Sequence, residues 1–151
     1  MNNTWIWLDL DGTIADLYGV NNWLEELIAQ RVHPYKVARN IYGVDIITLL
    51  AELKTKGYNI GVISWGAKNS TDEYLERVRK AKIEWLYQNL FDVVLDKIIV
   101  THYGVNKSDT CKKYGCGILV DDEQQNRDNW ELGNTIDATE NILTALASLL
   151  D

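Results

Sequence analysis

Trp5-Ile6-Trp7-Leu8-Asp9-Leu10-Asp11-Gly12-Thr13 runs from four apolar residues into two acids and a glycine. A continuous apolar run with no helical period, closed by glycine, reads as a strand of a parallel sheet, buried on both faces. Side chains alternate across a strand, so Asp9 and Asp11 fall on one face. In a parallel sheet the ligand crevice lies beyond the carboxyl ends of the strands, where this pair sits. Two carboxylates there repel each other and lose hydration. A cation, a shared proton or nearby donors must offset that. Asp and Gly are also ordinary turn residues, so the pair alone would equally fit a solvated strand-to-turn junction.

With 151 residues, 46% of them hydrophobic and 25% charged, the chain is expected to form a single domain over 1–151 with a proper core. No segment has the apolar length to span a bilayer. Met1-Asn2-Asn3-Thr4-Trp5 lacks the basic region and apolar stretch of a secretory signal. Cys111 and Cys116, with two histidines elsewhere, are too few for a zinc site and read as reduced thiols, which suits a cytoplasmic protein. A net charge of −7 argues against a surface that binds nucleic acid non-specifically. It still permits a small anionic substrate if a metal and a few lysines gather at the site.

Further along, Asn22-Trp23-Leu24-Glu25 resembles a capping box, and apolar residues at helical spacing follow until His33-Pro34 stops the helix. Ile46, Ile47, Leu49, Leu50 and Leu53 form an amphipathic helix closed by Gly57. Tyr58–Ile63 is the second strand, ending at Ser64-Trp65-Gly66. A Ser70-x-x-Glu73 box opens a long helix to about Leu90. The third strand lies in Phe91–Leu95 or Lys97–Thr101. Lys107 opens a short helix that stops at Gly115. Cys116–Val120 is the fourth strand and ends in Asp121-Asp122. Thr135–Asp137 is a weak fifth, and Asp137-x-x-Glu140 caps the last helix. Strands alternating with helices predict an α/β, doubly wound, Rossmann-like parallel sheet of about five strands.

Four strands thus end in groups with chemistry: Asp9/Asp11, Ser64, Lys107 and Asp121/Asp122. A parallel sheet brings those ends to one crevice. Several carboxylates with a hydroxyl and a lysine suit a hard, oxygen-liganded cation such as Mg2+ together with a phosphate. One carboxylate can attack phosphorus in line, and an acid two residues on can protonate the leaving oxygen. Ser64 and the backbone amides after it can hold phosphoryl oxygens, and Lys107 can neutralise developing charge.

These residues resemble the four motifs of the haloacid dehalogenase (HAD) superfamily of phosphatases, over roughly residues 4–125. Within it the likeness is nearest to the 5′(3′)-deoxyribonucleotidases, on Asp11-Gly12-Thr13-Ile14-Ala15-Asp16, Lys82-x-x-Trp85, Ile98-x-Val100-Thr101 and Leu119-Val120-Asp121-Asp122. The resemblance implies that Asp9 is the nucleophile and a metal ligand. Asp11 would be the general acid/base, its backbone carbonyl a second ligand, and Asp121 the third. Asp122 would lie in an outer position or bond to Lys107. Ser64, the Trp65 amide and Lys107 would grip the phosphate. It further implies an aspartyl-phosphate mechanism and a nucleotide substrate. In one respect the chain departs from that family. Only 52 residues separate Asp11 from Ser64, leaving room for a minimal helical lid at about 17–43, so base-recognising residues cannot be transferred.

Tyr18 and Trp23, on that lid, are candidates for touching substrate; Trp5, Trp7 and Trp85 are read as core, and Trp65 as more a plug than a stacking platform. Lys68 and His102 read as surface residues and Asp16 as a turn cap. The leading expectation is a Mg2+-dependent phosphomonoesterase, a 5′-nucleotidase, that takes a small phosphorylated substrate and no membrane. Alternatives are an open-cleft phosphatase on nucleic-acid ends or phosphoproteins, and a non-catalytic phosphate-binding module. A homodimer could complete the pocket that a small lid leaves open.

Overall fold

The computed structural model describes residues 4–151; Met1–Asn3, on which the expected lack of a leader partly rests, lie outside the described residues. In chain order the first half holds β1 (Trp5–Leu8), β2 (Ala15–Asp16), α1 (Trp23–Ile28), α2 (His33–Val37), β3 (Arg39–Asn40), α3 (Val44–Lys56) and β4 (Asn59–Trp65). The second half holds α4 (Asp72–Asn89), β5 (Lys97–Thr101), α5 (Lys107–Cys111), β6 (Gly117–Asp121), α6 (Gln124–Asp128), β7 (Thr135–Asp137) and α7 (Ile142–Ser148). Five strands pair in parallel in the order β5-β4-β1-β6-β7, the doubly wound sheet that the sequence predicts. The chain winds outward from β1 through β4 to β5, then crosses back to β6 on the other side of β1. That reversal opens a crevice at the carboxyl ends of the central strands.

Register sets what lies in the crevice. Leu8 pairs with Val62 on one side and Val120 on the other, and the Asp9 amide continues the ladder to the Val120 carbonyl at 2.9 Å. Asp9 and Asp121 therefore leave the sheet at the same level, and Ser64 lies one residue further along β4. Below them, Ile6 and Leu8 pack with α3, α7 and the end of α4, while Trp7 faces the opposite layer with Ile63, Cys111, Leu119 and Trp130. Among the described residues no helix is long and apolar enough to cross a membrane.

Several caps differ from the sequence expectation. Asn22 sits at φ 60 with no capping hydrogen bond, so the Asn22/Glu25 box does not form. Pro34 opens α2 instead of closing α1, because its missing N–H is harmless in a first turn. Thr71, not Ser70, caps α4 by accepting the Tyr74 amide, and Asn141, not Asp137, caps α7 by accepting that of Leu143. The third strand is the Lys97–Thr101 half. Gly57 closes α3 at φ 117, as expected.

Between β1 and α3, β2 and β3 pair antiparallel, α2 leans on α4 and α1 packs on α2. Four donors fasten this segment: Arg77 to the Gln30 carbonyl (2.6 Å), Tyr74 to that of Arg31 (2.7 Å), Trp85 to that of Ala38 (2.7 Å), and Asn40 to that of Asn89 (3.3 Å).

Trp7 stacks on Trp5 with centroids 4.7 Å apart, and it spreads over glycines of both neighbouring strands. A Cβ at Gly61 would come within 2.5 Å of the Trp7 ring. Gly61→Ala should therefore cost about 1–3 kcal/mol by overpacking, even though alanine loses less backbone entropy than glycine. Urea unfolding would show a lower midpoint at unchanged slope; an unchanged midpoint would mean that the indole can yield.

Candidate active site

Asp9 follows β1 directly and is almost buried. Its Oδ1 accepts a hydrogen bond from Lys107 Nζ (2.9 Å) and its Oδ2 one from Thr13 Oγ1 (3.0 Å). A tight turn delivers Thr13: the Leu10 carbonyl accepts the amides of Thr13, Ile14 and Ala15. Gly12 makes the turn possible twice over. Its φ is +79, and a Cβ there would lie 2.5 Å from Asp122 Oδ2.

Lys107 opens α5 behind the Asn106 cap, and its ammonium bridges Asp9 and Asp121 Oδ2, the latter at 2.6 Å. Asp121, at the end of β6, is fully buried. It also accepts the Glu123 amide (2.9 Å) and Asn126 Nδ2 (3.1 Å). Burial, the largest single influence, would raise the Asp9 carboxyl, but the Lys107 charge, the hydrogen bonds with Asp122 and Lys107 and the Lys82 charge together hold Asp9 below the usual range. Asp121 is raised, by burial and by Asp9, with Lys107 opposing. Asp122 is pushed up to about 8 by burial, by its hydrogen bond with Asp9 and by the charges of Asp9 and Asp121.

An oxygen from each of Asp9, Asp121 and Asp122 lies within 4.8 Å of the others. Thr13 has one hydroxyl proton and touches two of these carboxylates, Asp9 at 3.0 Å and Asp122 at 3.3 Å. The cluster is one donor short, and a proton on Asp122 or a cation would complete it. Three hard oxygen donors fit a divalent cation. The Asp11 side chain is not in this group, and Asp122, expected in an outer position, is. Asp122 does not bond to Lys107, whose partners are Asp9 and Asp121.

Asp11 turns the other way, toward β4. Its Oδ2 accepts from Lys82 Nζ at 2.7 Å, and the same ammonium donates to Ser64 Oγ and to the Trp65 carbonyl, each at 2.7 Å. Burial raises the Asp11 carboxyl and Lys82 opposes the rise. The Trp65 ring is tied down by its own Nε1 on the Val105 carbonyl (2.8 Å) and by Tyr103 at 4.8 Å. His102 pairs with Asp72 and Asp16 caps the Leu17–Gly19 turn, both outside the acid cluster. The Lys68 ammonium rests 5.0 Å over the Tyr103 ring.

The structure thus brings Asp9, Asp11, Ser64, Lys107, Asp121 and Asp122 together. Sequence reading missed Lys82 as a site residue, along with Thr13 and Asn126. For Lys82 a signal existed: it interrupts the inward stripe of Leu75, Val78, Trp85 and Leu86 on α4. A fully buried lysine on such a stripe needs a partner.

A small hollow of about 70 Å3 over the acids, bordered by Tyr18, Trp65 and Tyr103, widens into a cavity of about 470 Å3. Leu17, Tyr18, Trp23, Leu27, Tyr35 and Tyr103 line that cavity, and Asp11 forms part of its wall. A larger surface groove of about 660 Å3, between α3 and Phe91, holds none of these groups.

No family model matches the chain, and no curated protein does. Among solved structures it is similar to the HAD domain of the effector protein Lem4 from Legionella pneumophila. The two share 14% identity over 98% of this chain and 93% of that one, with a TM-score of 0.49. A likeness of that size says nothing about substrate.

Asp122 holds its proton to about pH 8 in the fold, against 3.8 ordinarily, so its contribution to stability fades as pH climbs between those values. A divalent cation must displace that proton below pH 8, and it should stabilise the protein more at pH 9 than at pH 6. Thermal unfolding with and without millimolar Mg2+ or Mn2+ measures this. At a hundredfold excess over Kd the gain should reach about 2.7 kcal/mol, and Asp121→Asn should abolish it.

Proposed function

We propose that the protein is a Mg2+-dependent phosphomonoesterase of HAD type that works through an aspartyl-phosphate and acts on (deoxy)nucleoside 5′-monophosphates in the cytoplasm. The observation that carries this reading is the pairing of two acids with separate lysines. Asp9 is held ionised beside Lys107, which suits a nucleophile. Asp11 is raised by burial, which suits a proton donor.

In the first half-reaction an Asp9 oxygen attacks phosphorus, the P–O bond to the leaving group breaks, and Asp11 passes its proton to the departing oxygen. In the second, Asp11 takes a proton from a water that attacks the same phosphorus. The Asp9 carboxylate and inorganic phosphate are released. Lys107 and the Ser64 hydroxyl, with the Trp65 amide, would hold phosphoryl oxygens. Asp9, Asp121, Asp122 and the Asp11 carbonyl would hold Mg2+, which when bound screens the phosphate charge from the acids.

The segment at 17–43 would serve as a fixed lid. Its Tyr18 and Trp23, edge to face at 4.9 Å, and Tyr35 give the cavity aromatic walls suited to a nucleobase. One observation favours the open-cleft reading on phosphoproteins. A polar hollow of about 230 Å3, lined by Asn106, Gln125, Asn126 and Asn129, adjoins Lys107 on another side. The net charge of −7 speaks against nucleic-acid ends.

Phosphate release from nucleoside monophosphates, sugar phosphates and a phosphopeptide, with Mg2+ and with chelator, tests the proposal. Metal-dependent turnover of nucleotides is expected, and Asp9→Asn should abolish it. Turnover of the phosphopeptide alone would favour the open-cleft reading; none on any substrate would favour a binding module. Trp23→Ala should raise KM for nucleotides severalfold and leave kcat for a small sugar phosphate unchanged. Equal effects on both would remove Trp23 from the pocket.

A further inference from the structure

Lys82 is a buried charge to which the sequence reading assigns no part in the reaction. It lies midway along α4 with 1% of its surface exposed. An ammonium so buried is tolerated only when every proton finds an acceptor. Here all three do: Asp11 Oδ2, Ser64 Oγ and the Trp65 carbonyl, each at 2.7 Å. The Tyr35 ring, 4.9 Å away, covers the ammonium from the segment between β1 and α3. With its three donors spent, Lys82 has none for a substrate. It can act only through the groups it holds.

Those groups are constrained in opposite senses. Asp11 has Oδ2 occupied, so Oδ1 is the oxygen left to carry a proton to a leaving group. Ser64 Oγ is occupied as an acceptor, so its own proton must point elsewhere. Among the described residues that proton has the Trp65 carbonyl, at a long 3.4 Å, and a phosphoryl oxygen would easily replace it. We propose that Lys82 is a positioning residue that aims Asp11 Oδ1 at the leaving-group oxygen and fixes the Ser64 hydroxyl as a donor to the phosphoryl group. The inference rests on the phosphomonoesterase reading and deepens it. One buried lysine sets both the proton donor and one phosphate donor, from a helix that carries none of the expected site residues.

A purely structural lysine would affect every substrate alike. A lysine that aims the proton donor matters most where the leaving oxygen needs that proton. The test is therefore kcat/KM for Lys82→Met on two esters: a nucleoside monophosphate, whose alkoxide leaves poorly, and p-nitrophenyl phosphate, whose phenolate leaves unaided. Their ratio is read within one preparation, so any unfolded fraction cancels. Wild-type protein should turn over both. In Lys82→Met the alkyl ester should lose about a hundredfold or more, as general acid catalysis contributes, and the aryl ester about tenfold or less. Asp11→Asn should show the same skew. Adding Lys82→Met to Asp11→Asn should cost the alkyl ester little more, because the two act as one unit. An equal loss on both esters, or full additivity in the double variant, would overturn the assignment while the phosphatase reading stands. A wild-type protein inactive on both would end that reading, and this inference with it.

Discussion

The ammonium of Lys107, buried between Asp9 and Asp121, is the contact on which the site depends. It joins the carboxyl ends of the two central strands, β1 and β6, through a helix that starts at the lysine itself. Lys82 does the same between the turn after β1 and the end of β4. Four carboxylates, those of Asp9, Asp11, Asp121 and Asp122, face these two ammonium groups, so two negative charges remain uncompensated. A phosphate dianion could not approach such a site. One proton on Asp122 removes half of the excess, and a divalent cation removes all of it. That charge balance is one a divalent cation fits.

Breaking a buried pair by deleting one member costs about 3–5 kcal/mol, because the other charge is left without compensation. Lys107 holds two carboxylates, and this makes it as much a part of the fold as of the chemistry. The central strand β1 accepts that burden because it is apolar to its last residue. Ile6, Trp7 and Leu8 are wholly buried, and polarity begins only where the ladder ends, at Asp9. The boundary between core and site is therefore a single peptide wide.

Strand ends were legible in the sequence because two local signals set them. Apolar runs mark parallel strands, and the first polar residue after each run must lie at its carboxyl end. Asp9, Ser64 and Asp121 follow from that alone. Lys107 could be placed because it opens the short helix that leads into β6; the Asn106 cap behind it is a finding of the structure. What stayed hidden depends on distance in space. Lys82 is 71 residues from Asp11, and nothing local distinguishes it from a solvated helix lysine except the apolar stripe it breaks. Thr13 looked like the tail of a motif, yet its hydroxyl links Asp9 to Asp122, 109 residues on. The misplaced caps have a different origin. Ser70 and Thr71, like Asp137 and Asn141, are both chemically able to cap, and packing of the following helix chooses between them. Pro34 reads as a stop in the sequence because a proline can follow one helix as well as begin the next.

The segment over the crevice shows how a short insertion can still enclose a pocket. The helical pieces α1 and α2 are one or two turns long, too short to be stable alone. Their order comes from α4. Tyr74 and Arg77, on its first turns, and Trp85, about two turns further on, reach out from that helix to carbonyls at Arg31, Gln30 and Ala38. Lys82 stands on the same helix between Arg77 and Trp85, with Tyr35 laid over it. One helix therefore positions the aromatic wall of the cavity and the acid at its base, and the spacing between them is set by the rise of α4. A pocket built in this way is preformed. On the proposed function, a substrate would present its phosphate near Asp9 with its body against Tyr18, Trp23 and Tyr35.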